Sequence, residues 1–131
     1  MITDRDIQII NFLKEVNVAD TKTIAILFFN GGIRRAQQRL KILCDSNHIK
    51  VFRDTAISQN VFYVGRKPKN WKHKIVFSQL LAQLKLNNIT ILKYRTPLKI
   101  DQVIADGFIA VNVNAGNIWV VITRSKLLFV I

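Results

Sequence analysis

Gly31-Gly32-Ile33-Arg34-Arg35-Ala36-Gln37-Gln38-Arg39-Leu40-Lys41-Ile42-Leu43-Cys44 opens on two glycines and then repeats apolar residues at helical spacing. Ile33, Ala36, Leu40 and Leu43 recur at steps of three and four, which sets them on one stripe of a helix. Arg34, Gln37, Gln38 and Lys41 share the opposite stripe, with Arg35 and Arg39 beside them, and that face carries no acid. Guanidinium forks bind guanine bidentately, carboxamides bind adenine, and Arg and Lys both hold phosphates. The stretch reads as a recognition helix, against the plainer reading of a solvated helix face.

Upstream, Thr3 followed by Asp6 resembles a capping box with Asp in the usual Glu position, and Asp4 adds charge at the positive helix end. Ile7, Ile10, Phe12, Leu13 and Val16 then predict a helix from about Asp4 to Glu15, ended by Asn17. A second start at Asp20-Thr21 precedes Ile24, Ala25, Leu27 and Phe28, and Asn30-Gly31-Gly32 supplies a turn tolerant of positive φ. Three helices with a tight glycine turn before the third make the helix-turn-helix arrangement.

Downstream of Asp45-Ser46-Asn47, His48 to Arg53 alternates as a half-buried strand does, and Val61 to Val64 predicts its partner across a polar loop. Two strands directly after the third helix form a wing. Its tip is weakly charged, with Arg53 at the base and Asp54 beside it.

Over the 131 residues, 20 Lys/Arg stand against 8 Asp/Glu, a formal charge of +12. That balance points to a polyanionic partner, nucleic acid first and an anionic membrane surface second. Half the residues are hydrophobic, enough for a packed core. Cys44 is alone, so no intramolecular disulfide forms; it reads as a small buried hydrophobe in a reduced compartment. The first residues are no signal peptide and no apolar run approaches a membrane span, so the expectation is a soluble cytoplasmic protein.

Gly65 to Lys74 contains five Lys/Arg, one Pro and one Gly, and reads as a connector between two units, either a solvated linker or a phosphate-binding strap. Trp71 within it is expected in the core. From Trp71 to about Leu86 helical spacing returns, with Val76, Phe77, Leu80, Leu81 and Leu84 on one face and Ser78, Gln79, Gln83 and Lys85 on the other. Strands follow at Ile89 to Tyr94, Val103 to Ile104, Phe108 to Val113, Ile118 to Thr123 and Leu127 to Ile131. Asn114 to Asn117 and Arg124 to Lys126 predict hairpin connections.

Thr3-Asp4-Arg5-Asp6-Ile7, Ala25 to Phe29 and Arg34 to Leu40 resemble the replication-relaxation family of bacterial plasmids, phages and integrative elements. That family typically opens on T-x-R-D and carries an L-F-F second helix and an R-R-A-Q-x-R-L third helix. The match is close over the first half and looser after it, through a His73-led helix and Ala105-Asp106-Gly107. The resemblance implies DNA binding at an origin, transfer or regulatory site. It also implies a nuclease-type second half, in which an Asp and a Glu on adjacent strands hold a divalent metal. Asp106 would be the first carboxylate, but Ile118 to Thr123 contains no acid for the second, and Asp101 lies too far back. A catalytic Mg²⁺ needs at least that pair, so Asp106 reads as a turn residue.

His48 and His73 stand apart from any ligand cluster, no nucleotide-binding loop is present, and no cofactor, metal site or catalytic residue is nominated. The fold class is therefore expected to be α+β: a winged helix-turn-helix over residues 1–66, then a basic linker, helix and small β-meander unit over 67–131. The expected DNA contacts are Arg34, Arg35, Gln37, Gln38 and Lys41 from the third helix, with Thr21 and Lys22 on the phosphate backbone. Arg53 at the wing and Lys67, Lys69 and Lys72 in the strap complete them. Double-stranded DNA is the expected partner, and a homodimer would place two third helices about one DNA turn apart. The rival readings are a metal-dependent nuclease using Asp106 and an adaptor whose basic second half binds a replication or transfer protein.

Overall fold

The computed structural model describes residues 2–55, 59–95, 98–100, 103–105, 107–113, 116–123 and 126–130. The chain is α+β, and it divides into two compact units, Met1–Ala82 and Gln83–Ile131.

The first unit starts with α1 (Asp4–Val16). Thr3 and Asp6 close the expected capping box: the Asp6 N–H donates to the Thr3 hydroxyl at 3.2 Å and the Thr3 N–H to the Asp6 carboxylate at 2.8 Å. Ile9, Phe12, Leu13 and Val16 are its buried apolar residues. The expected face included Ile7 and Ile10 instead of Ile9. Ile7 is in fact exposed and Ile10 half-buried, because α1 turns the Asp6 side of the helix inward.

Next come β1 (Ala19–Asp20), α2 (Thr21–Phe28) and α3 (Ile33–Asp45). Asp20 caps α2 by accepting the Thr23 N–H at 2.8 Å. In the turn between the two helices Asn30 and Gly31 take φ of 51° and 85°, and the Gly31 N–H donates to the Ala25 carbonyl at 2.8 Å. Gly32 has an ordinary φ, but a Cβ there would meet the Phe29 carbonyl and the Arg35 guanidinium at 3.1 Å. The two glycines thus serve different needs, one conformational and one steric.

β2 (Lys50–Asp54) and β3 (Gln59–Tyr63) pair antiparallel from Lys50↔Tyr63 to Asp54↔Gln59. β1, too short to show alternation in sequence, pairs with β3 through Ala19↔Phe62 and Asp20↔Val61, so the sheet order is β1-β3-β2. Ile9, Leu13, Ile24, Leu40 and Leu43 are closed to solvent in the core beneath.

α4 (Trp71–Leu86) begins in this first unit. Val18, Val61 and Ile75 form a buried cluster against which Phe52, Tyr63 and Trp71 pack, and Trp71 meets Phe52 edge-on at 5.0 Å. Trp71 is therefore a core residue, as expected. The unit boundary falls inside α4 and not in the basic stretch, because the start of the helix is held by these aromatics. The expected face of α4 needs rotation: Val76 is 56% exposed, whereas Ser78 is buried and donates its hydroxyl to the Ile75 carbonyl at 2.9 Å. That internal bond removes the cost of burying a polar side chain.

The second unit contains the antiparallel sheet β4-β7-β8-β9, made of β4 (Thr90–Arg95), β7 (Gly107–Val113), β8 (Gly116–Thr123) and β9 (Lys126–Val130). β7 pairs with β8 as far as Val113↔Gly116 and β8 with β9 as far as Thr123↔Lys126, so Gly116, Asn117 and Lys126, expected in turns, belong to strands; the other expected turn residues, Asn114, Ala115, Arg124 and Ser125, lie outside the described residues. β5 (Leu98–Ile100), which had no counterpart among the expected strands, pairs with β6 (Val103–Ala105). The register of β4 against β7 shifts between Ile91 and Lys93, which leaves Leu92 as a bulge. No helix among the described residues is long and apolar enough to cross a membrane.

Candidate nucleic-acid interface

α3 presents its outer side to solvent. Arg34, Gln38 and Lys41 are exposed along it, while Ala36, Leu40 and Leu43 face the core. Asp45 interrupts the expected acid-free face: Lys41 donates to its carboxylate at 3.1 Å, with both side chains largely in water. An exposed i,i+4 pair of this kind is worth only a few tenths of a kcal/mol, about 0.3–0.5, so a phosphate can displace it.

Arg35, still exposed, and Arg39, half-buried, are tied to groups of the protein itself. The Arg35 guanidinium donates to the Phe29 carbonyl at 3.1 Å, tying α3 to the turn before it. Arg39 grips Asp6 with two N–H groups, its Nε donating to Oδ1 at 2.9 Å and its Nη2 to Oδ2. The Arg39 guanidinium beside Asp6 holds that carboxyl well below the usual carboxylate range, against burial, which pushes it up. Arg39 is thus the structural arginine of the helix, and Asp6 serves both the α1 cap and the α3 anchor. The sequence places Asp6 only in the cap; a pairing across 33 residues leaves no local spacing to read.

A pocket of ≈ 210 Å³ lies beside α3 and is lined by Thr21, Lys22, Ile33, Gln37, Arg53, Gln59 and Asn60. Three elements meet there: the first turn of α2, the first half of α3 and the β2–β3 pair. Thr21, Lys22, Gln37 and Arg53, far apart in sequence, are brought together as expected contacts. Gln59 and Asn60 join them without having been singled out, since a short polar segment before a strand carries no distinguishing pattern. Ile33, expected on the core stripe, is instead 42% exposed and lines the pocket. As the first residue of α3 it stands before the helix reaches the core.

The basic stretch contributes differently. Lys67 sits over the Phe52 ring at 3.9 Å and Lys72 over the Trp71 ring at 5.8 Å, both with exposed side chains, and Lys69 is exposed. Lys67 thus lies against Phe52 of β2 and Lys72 by Trp71 of α4, the two rings that meet edge-on. Asp20, the α2 cap, also accepts a hydrogen bond from the Gln79 side chain at 3.0 Å. That bond fixes the helix start from which Thr21 and Lys22 project.

Cys44 is partly buried, and burial pushes its thiol up, away from the reactive thiolate. Among the described residues no group of three His, Cys, Asp or Glu is placed to hold a metal ion. Asp101 and Asp106, the carboxylates weighed for a nuclease, lie outside the described residues. Compared with protein-family models, curated proteins and solved structures, the chain matches none.

Proposed function

We propose that this chain is a sequence-specific double-stranded DNA-binding protein whose first unit works as a winged helix-turn-helix. In this reading α2 and α3 form the helix-turn-helix pair, α3 enters the major groove, and the β2–β3 hairpin is the wing. The observation that carries the reading is the division of α3: Ala36, Leu40 and Leu43 are closed in the core while Arg34, Gln38 and Lys41 stand exposed on the other side. The pocket beside it supports the same assignment, because Lys22, Arg53 and Thr21 surround Gln37 with groups suited to a phosphodiester backbone. A formal charge of +12 supplies the sequence-independent attraction.

The resemblance of residues 3–7, 25–29 and 34–40 to replication-relaxation proteins gives the setting. The target would be an origin, transfer or regulatory site of a plasmid, phage or integrative element in the cytoplasm. The protein would act there as a transcriptional regulator or a replication or transfer accessory factor, and a dimer would read a repeated half-site.

Selection of bound duplexes from a random pool at stated salt, followed by footprinting, tests this. Wild-type protein should enrich one sequence. Arg34→Ala or Gln38→Ala should relax preference at one base pair by about 1–3 kcal/mol. Enrichment of no sequence, or loss spread evenly over all sequences in these variants, would overturn the assignment of α3.

A further inference from the structure

We infer that Ile33 and Gln37 together read a thymine–adenine pair from the major groove, with Ile33 as the residue that senses the thymine methyl. The inference rests on the DNA-binding reading of α3 and extends it to a side chain that is not polar.

Ile33 is 42% exposed, and its first-turn position leaves it outside the packed stripe of Ala36, Leu40 and Leu43. It lines a pocket whose other residues are all polar or charged: Thr21, Lys22, Gln37, Arg53, Gln59 and Asn60. A lone branched aliphatic side chain in such a setting has no apolar partner among the residues lining the pocket, and 42% of its surface is left to water in the free protein. The major-groove edge of a T·A pair offers an apolar partner, the C5 methyl of thymine. On the same edge adenine N6 and N7 form the donor–acceptor pair that a carboxamide matches bidentately. Ile33 and Gln37 are four residues apart on α3, so they are neighbours on one side of the helix. Their shared pocket therefore brings a methyl-sized apolar contact and an adenine-reading amide to the same or the adjoining base pair. Lys22 and Arg53 in the same lining would hold the adjacent backbone and so fix the depth at which α3 sits.

The test uses the full chain and the duplex selected from the random pool. Each thymine of that duplex is replaced in turn by deoxyuracil, which deletes the methyl and leaves pairing intact. At one position the wild-type protein should lose about four-fold in affinity, the scale of one buried methyl group. Ile33→Ala should bind the thymine duplex about that much more weakly and be indifferent to the uracil swap there, while Ile33→Val should keep part of the discrimination. Gln37→Ala should lose preference for adenine at that pair or the next. A selected duplex on which no thymine-to-uracil swap distinguishes wild type from Ile33→Ala overturns the inference and leaves α3 as a recognition helix. A pool from which no sequence is enriched removes the recognition reading itself.

Discussion

At the scale of single residues, the Asp6–Arg39 pair does most to place α3. Asp6 is closed to solvent, whereas the Arg39 side chain keeps 27% of its surface in water. Removing Arg39 strands the Asp6 carboxylate that it pairs with, so Arg39→Ala should lower the denaturation midpoint. A chemical denaturation curve measures this, and an unchanged midpoint would mean that the pair does not anchor α3. Because the folded carboxyl sits below its ordinary value of 3.8, the pair's contribution is fully present above that pH. It fades as the pH falls below about 4, through the depressed folded value. Stability attributable to Asp6 should therefore be flat from neutral pH down to about 4, and the acid limb should be shallower in Asp6→Asn. Acid unfolding of Arg39→Ala should begin at higher pH than in wild type. Identical acid limbs in all three proteins would remove Asp6 from the account.

At the scale of the elements, the ends of the helices follow one rule. Asn17, Asn30, Asn47 and Asn88 are the non-glycine residues with positive φ among those described, and each stands at or just beyond the end of one of the four helices. After α3 the Asn47 N–H donates to the Cys44 carbonyl at 3.0 Å and the His48 N–H to the Leu43 carbonyl at 2.9 Å. After α4, Asn88 and Ile89 repeat the pattern with Lys85 and Leu84. These are Schellman closures with Asn in the left-handed position that glycine more often takes. Asn47→Ala should cost about 1–2 kcal/mol, whereas Asn47→Gly should cost little or stabilise. Thermal unfolding of the two variants decides the point, and equal melting temperatures would argue against a conformational cause. The turn feeding α3 divides its demands between Gly31 and Gly32, which is why that helix can start so soon after α2 ends.

At the scale of the whole molecule, charge and shape act through different residues. Lys69 and Lys72 are exposed in the basic stretch and at the start of α4, outside the proposed reading helix. On the proposed DNA-binding reading, their replacement by Ala should weaken every duplex alike and reduce the slope of log affinity against log salt by about 2 for the pair. The preferred sequence should not change. A titration across salt concentrations on selected and scrambled duplexes checks both halves of that statement, and a shift of preferred sequence would make the strap a reader of bases.

The first half of the chain was largely legible from sequence because its signals are local. Thr3 with Asp6, the Asp20-Thr21 start, the Asn30-Gly31-Gly32 turn and the period of Ala36, Leu40 and Leu43 each act within one helical turn or one connection. They determined where the helices begin and end, and that α3 has one apolar and one cationic side. What only the tertiary structure decided depends on residues distant in the chain. Arg39 went to Asp6, Ile9 replaced Ile7 in the core, Ser78 turned inward as Val76 turned out, and β1 found β3. Periodicity states that a helix has an apolar side, but the direction of that side is set to within a residue by the neighbour it packs against. For the same reason the pocket joining Thr21, Gln37 and Arg53 has no sequence signature: three segments of the chain meet there only because the core beneath them is closed.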